Sequence, residues 1–430
     1  MQRPVVESDV VIAGAGVAGL ALALALARDG TARNIVLVEH APAPRDKVCG
    51  EGVMPLGMAV LERLGLAADT LPGQDFLGLQ YTAPAGRHLL EFAPGVRGRG
   101  LRRTALLEAL EGARGRYRGC LLVRDEVLTP WWQGTRIVGL RGKQADYRAS
   151  VVVAADGVNS RLTRMAGAGV RPYGYRMGLR RHYRLSAGAL PRHVQVGLFG
   201  GYDLYLTPVG EEELLATALT DRRGYLAMRG DYDAFLRGGP FEHWFRRAEP
   251  ASRMLGWYHP LFSCKEHAPG GMLLLGDAGG GIDPCLGMGI SMALVMVEAA
   301  AHAARCALAD PVCSQRYFTQ YAAARGSMFR HYYAFGRVFR MFIASRRGTG
   351  LLVRGMRAFP RIAERILRVV AEGQPWLSLL RPNCAAIQAL AWRNQFPAHA
   401  AGQAGARAPV EAAFCGDSDQ GYFSVGSRDV

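Results

Sequence analysis

Val10-Val11-Ile12-Ala13-Gly14-Ala15-Gly16-Val17-Ala18-Gly19 is the stretch on which the fold turns. Val10 to Ala13 is a short apolar run of the kind that forms a buried strand. The apolar run Val17 to Asp29 reads as a helix, and Ile35 to Val38 as a second strand. That succession is a βαβ unit and opens a parallel sheet. The glycines fall where such a unit needs them: Gly14 for the tight turn, Gly16 for close approach of a pyrophosphate, Gly19 for helix–strand packing. The helix opening at Val17 and Ala18 would offer its free N–H groups and positive dipole end to phosphates. Glu39 closes the second strand, where a carboxylate can accept hydrogen bonds from ribose hydroxyls. A glycine-rich turn with no ligand is the plainer alternative. Strand, helix and acid in the right order argue against it.

Three later stretches gain meaning from this one. Arg103 opens an apolar helical segment running to Leu110, and can either reach a phosphate or stay solvated. Ala155-Asp156-Gly157-Val158-Asn159-Ser160-Arg161 follows the β-branched strand Ser150 to Ala154; alone it would be only a turn. Gly276-Asp277-Ala278-Gly279-Gly280-Gly281-Ile282-Asp283-Pro284-Cys285-Leu286-Gly287-Met288-Gly289 links the short strand Met272 to Leu275 to a helix from about Ile290. A carboxylate at that strand end can bind a polyol hydroxyl. The helix would aim its positive end at the same ligand.

Composition narrows the partners. The chain has 430 residues and a net charge of +16, with only three lysines, Lys47, Lys143 and Lys265. The arginines are scattered rather than blocked together, which argues against nucleic acid. Eight cysteines form no C-x-x-C pair, and the histidines show no ligand spacing, so no metal site is expected. Sparse, unpatterned cysteines suit a reducing, cytoplasmic setting. Val10 to Ala27 is preceded by Glu7 and Asp9 and broken by glycines, unlike a signal peptide. The segment Leu286 to Leu308 carries Glu298 and Arg305, unlike a membrane span.

The reading is an α/β fold with a discontinuous dinucleotide-binding domain (1–75, 100–172 and 262–323). An inserted, mainly antiparallel substrate-binding sheet (76–99 and 173–261) includes a hairpin turning at Pro84-Ala85-Gly86. A basic, aromatic helical region follows (324–397), then a flexible tail (398–430). The basic helices either cap the substrate cavity with solvated arginines, the favoured account, or lie on an anionic membrane surface.

Taken together, GAGVAG with Glu39, ADGVNSR and GDAGGGIDP resemble the fingerprints of the para-hydroxybenzoate-hydroxylase-type flavoproteins, over the chain up to about residue 310. The resemblance implies a Rossmann-like domain of the glutathione-reductase type and FAD as cofactor. It places Gly14, Gly16, Val17, Ala18, Gly19 and Glu39 on the ADP half and Arg103 near the pyrophosphate. Asp277 would hold the ribityl chain, with Pro284, Gly287 and Gly289 beside it, and Asp156 and Gly157 would lie around FAD and an NAD(P)H donor. Lys47-Val48-Cys49-Gly50-Glu51-Gly52 is similar to the K-x-C-G segment of the geranylgeranyl-reductase-like branch. That implies Cys49 beside the flavin ring, a small buried hydrophobe being the other reading. Tyr202 and Tyr205 are candidates to line the substrate cavity, ordinary sheet packing accounting for one of them. Trp257-Tyr258-His259-Pro260 is not the halogenase motif. The expected activity is NAD(P)H-dependent hydroxylation of a hydrophobic small molecule. The alternatives are reduction of a carbon–carbon double bond, or a membrane-associated flavin-binding protein without turnover.

Overall fold

A computed structural model describes residues 3–42, 45–186, 188–373 and 422–423. The expectations for 374–397 and for the 398–430 tail fall outside these residues, except that Tyr422–Phe423 pair with Leu122 and Val123. In chain order the elements used below are β1 (Val5–Ala13), α1 (Val17–Arg28), β2 (Ile35–Glu39), α2 (Pro55–Arg63), β3 (Gly78–Ala83) and β4 (Gly86–Glu91). Next come α3 (Arg103–Arg114), β5 (Cys120–Arg124), β6 (Val127–Gln133), β7 (Arg136–Gly142), β8 (Asp146–Ala154) and β9 (Val170–Arg184). Then follow β10 (Val194–Leu198), β11 (Tyr202–Pro208), β12 (Glu213–Thr220), β13 (Leu255–Cys264) and β14 (Leu273–Leu274). Four helices close the described chain: α4 (Gly289–Ala309), α5 (Ser314–Ile343), α6 (Arg346–Ala358) and α7 (Pro360–Glu372).

The first sheet runs β5-β2-β1-β8-β7-β6, with β14 on the far side of β8. β5, β2, β1, β8 and β14 are parallel. Their apolar residues are buried on both faces, as parallel strands covered by helices require. In register, Ile12 lies beside Leu37 and Val153, and Val153 beside Leu273. Strands far apart in sequence therefore end together. Residues 127–142, which carry no clear sequence signal, add the antiparallel β6–β7 hairpin at the edge.

The second sheet runs β9-β12-β11-β10-β3-β4, with β13 paired to β9. It is antiparallel except for the β10–β3 pair. Three short helices between residues 222 and 245 cover one face and bury Phe241, Phe245 and Leu236. The other face looks toward α1 and α4. α4 is the one helix among the described residues long and apolar enough to cross a membrane, with a mean hydropathy of 1.4. Most of it is buried, and it packs on α1, α2 and α5. It is a core helix of a three-layer arrangement.

Candidate functional site

The site follows from where the parallel strands stop. Gly14 succeeds β1, Ala155 succeeds β8 and Leu275 succeeds β14, and backbone bonds stitch these ends together. Ala155 N donates to Ala13 O and Leu275 N to Ala154 O, both at 2.8 Å. Three glycine turns thus converge on the carboxyl edge of one sheet, the position where open α/β sheets bind ligands.

The first turn is built to a tolerance that only glycine meets. Gly14 has φ +102°, and a Cβ there would stand 2.6 Å from Ala155 O. A Cβ on Gly19 would fall 1.9 Å from Gly14 O. Gly16 differs: a Cβ there would meet nothing nearer than Arg103 Nη2 at 3.7 Å. The protein leaves that space open, and it belongs to a cavity of about 230 Å³. Glu39 holds the turn in place, its Oε2 accepting Ala15 N at 2.9 Å and its Oε1 accepting Ala41 N at 2.9 Å.

The cavity has a polar half and an apolar half. Gly16, Val17, Ala18, Arg103, Gly157, Asp277, Pro284, Gly287 and Gly289 line the first. α1 and α4 both present N-termini that no side chain caps. Arg103 is buried, and its Nε has no partner within the protein. An unpaired guanidinium beside free helix N–H groups fits a diphosphate, and Asp277 across the cavity fits a polyol. This donor set suits FAD.

Lys47 also lines this half; burial, and next the Arg103 charge, lower its pKa, while Asp277 opposes them. His259 faces the same space with its pKa lowered chiefly by burial, so the neutral imidazole is favoured. The apolar half is walled by Phe76, Leu79, Tyr81, Val194, Val196 and Leu219, with Trp257 and Cys49 nearby. Cys49 Sγ accepts Glu51 N at 3.4 Å.

One expectation needs correction. Tyr202 does not line the cavity. It sits on the opposite face of β11, against Phe199 and Phe235, because residues three apart in a strand point to opposite sides. Tyr205 does line it, and its hydroxyl donates to Cys285 O at 2.9 Å. Asp156 stands between two residues of the cavity wall, Ala155 and Gly157.

Behind Cys49 lies a polar cluster that sequence reading missed. Glu51, 1% exposed, has φ +54°, the one left-handed non-glycine among the described residues. Its Oε2 is 2.7 Å from His182 Nε2. Arg180, fully buried, donates from Nη1 to His182 Nδ1 at 2.9 Å and pairs with Asp46 through Nη2. A guanidinium can only donate, so Nδ1 accepts and Nε2 carries the proton that Glu51 receives. Thr207 and Thr217 bond the carbonyls of Gly50 and Cys49. The strained segment is thereby fixed at both backbone and side chain.

Arg325 is a second missed residue. It is fully buried on α5, stacks over Phe329 at 4.0 Å, and donates from Nη2 to Gly276 O at 2.9 Å and Gly280 O at 2.8 Å. It holds the turn that carries Asp277.

Residues 7–81 match the family described as FAD binding domain. Menaquinone reductase of Mycolicibacterium smegmatis is 50% identical over 62 residues, covering 14% of this chain and 15% of that protein. Squalene epoxidase erg1 of Aspergillus fumigatus is 48% identical over 69 residues, covering 16% and 14%. The match thus spans about a seventh of these relatives. Solved structures extend the likeness to the whole fold. Flavin-dependent brominase Bmp2, as a triple mutant, superposes with TM-score 0.74 at 18% identity, covering 90% of this chain and 99% of that one. PqsL of Pseudomonas aeruginosa, described as a probable FAD-dependent monooxygenase, gives 0.69 at 20% identity, covering 80% and 98%. A geranylgeranyl bacteriochlorophyll reductase-like protein of Thermoplasma acidophilum gives 0.70 at 18%, covering 91% and 100%. The converging glycine turns, the uncapped helix ends with Arg103 and the match over residues 7–81 identify an FAD-binding domain, and the solved structures show that the rest of the chain shares the fold of these flavoproteins.

Proposed function

We propose that the chain is an FAD-dependent monooxygenase that takes electrons from NAD(P)H and hydroxylates a hydrophobic small molecule. The observation carrying this reading is the composition of the cavity. Its polar half suits FAD, and the half beyond is walled by Phe76, Leu79, Tyr81, Val194, Val196 and Leu219. The single carboxylate there, Glu51, is committed to His182 and Arg180. Such a wall accepts an apolar substrate and offers a charged one no partner. When bound, FAD would supply the redox chemistry.

The protein's own groups orient and enclose. Arg103 and the N-terminus of α1 would hold the diphosphate, and Asp277 the polyol. The N-terminus of α4 would favour negative charge on the ring side of the cavity. His259, largely neutral, can pass a proton at Nε2 or Nδ1. The apolar wall excludes water from the reacting atoms. A second reading, reduction of a carbon–carbon double bond, draws on Cys49 at the cavity wall. Oxygen uptake during NADPH oxidation with a hydrophobic phenol or polyketide distinguishes the two. Stoichiometric oxygen consumption supports hydroxylation; product formed without oxygen overturns it in favour of reduction.

A further inference from the structure

Arginine is spread along the chain, but the net positive charge gathers on one set of helices, where acids are few. Residues 314–373 contain twelve arginines, no lysine, and only Glu364 and Glu372, so 12 − 2 gives +10 of the net +16. Arg325 is buried, but Arg330, Arg346, Arg347, Arg354, Arg361 and Arg368 are exposed. Among the described residues none of these six has an ion pair within 4.0 Å. Unneutralised charge at this density repels itself unless something anionic lies against it.

Apolar groups stand in the same place. Val338 is 52% exposed, Met341 77%, Leu351 63%, Phe359 61% and Ile362 52%. They are neighbours of the arginines in sequence, as in Arg337-Val338, Arg340-Met341 and Arg361-Ile362. A solvated helix face needs no such residues, and a nucleic acid backbone has no use for them. A bilayer surface uses both: apolar side chains enter the acyl boundary while arginine stems lie along it and their heads reach phosphates. The position also suits the cavity. A Cβ added at Gly336 of α5 would stand 3.6 Å from Leu286 Cδ1, and one at Gly350 of α6 would stand 3.3 Å from Ala85 Cβ. Met356 joins the same core as Leu79 and Leu90. α6 packs on β3 and β4, and β3 carries Leu79 and Tyr81 of the cavity wall.

We infer that the outer face of α5, α6 and α7 docks on an anionic lipid bilayer. The docking rests on exposure and charge alone and is independent of the proposed hydroxylation. The test is sedimentation of the full-length protein with lipid vesicles, without electron donor or substrate. Its failure therefore leaves the proposed chemistry standing, and failure of the oxygen-uptake assay leaves the docking standing.

The expected result is binding to phosphatidylcholine vesicles containing phosphatidylglycerol, weak binding to pure phosphatidylcholine, and loss of binding at high salt. The double variant M341S/F359S should bind at least roughly tenfold more weakly with an unchanged thermal midpoint, since both side chains are exposed. R354E/R361E should weaken binding by a similar factor. Absence of binding to phosphatidylglycerol vesicles overturns the inference. So does M341S/F359S binding as the parent does. Equal affinity of parent and M341S/F359S for duplex DNA, with vesicles bound no better than DNA, would assign the face to a polyanion instead.

Discussion

Gly16→Ala separates what the fold needs from what the ligand needs. Gly16 has φ −77° and ψ −176°, which alanine adopts without strain. The added methyl would meet only Arg103 Nη2, at an ordinary 3.7 Å. Losing glycine from an N-cap position is offset by the smaller entropy of the unfolded chain, so apo stability should move by less than about 1 kcal/mol. The methyl instead projects into the cavity where the diphosphate is argued to lie. Overpacking there costs roughly 1–3 kcal/mol, which is about 5- to 150-fold in Kd. Flavin-fluorescence titration of the apoprotein reads the affinity, and melting without FAD reads the fold. Gly14→Ala and Gly19→Ala are the contrast. Each would put Cβ under 3.0 Å from backbone atoms, so both should fail to fold or melt far lower. Gly16→Ala protein that melts normally and binds FAD with parental affinity would refute the placement of the diphosphate.

Other consequences follow from the buried charges. Glu51→Ala leaves Arg180 buried with Asp46 and should destabilise the protein by about 3–5 kcal/mol; chemical denaturation measures it, and replacing Glu51 and Arg180 together should cost less than the two singles summed. Arg325→Met frees the carbonyls of Gly276 and Gly280, so FAD affinity should fall about tenfold, and unchanged affinity would show that the turn needs no such support. His267 is 8% exposed, and burial, then the Arg325 charge, push its pKa from 6.5 down to about 3. The folded state resists the proton that the unfolded state accepts, so stability present above pH 6.5 is lost as pH falls toward 3, on the order of 5 kcal/mol in all. Stability of His267→Gln between pH 7 and 4 should show a flatter acid limb, and an unaltered slope would remove His267 from that role.

What the sequence made legible was backbone demand. Gly14, Gly157, Gly276, Gly280 and Gly287 all have positive φ, and turns that require this conformation leave glycine as their mark. The buried parallel strands β1, β2 and β8 leave theirs as unbroken apolar runs. What stayed hidden was pairing at a distance. Glu51 and His182 are 131 residues apart, and neither position shows its partner in composition. Even so, part of the hidden layer had a local trace. Arg180 and His182 are two apart in a strand, hence on one face, and Gly178 on that face lines the cavity. The same period places Tyr202 and Tyr205 on opposite faces, so only one of them can ever have met the substrate. In α5, Tyr321, Arg325, Phe329 and Tyr332 recur at helical spacing on the buried side, which singles Arg325 out from the solvated arginines around it. Periodicity therefore sorts charged residues as well as apolar ones: an arginine in phase with the core is there to bond carbonyls, and one out of phase is free to meet an anionic surface.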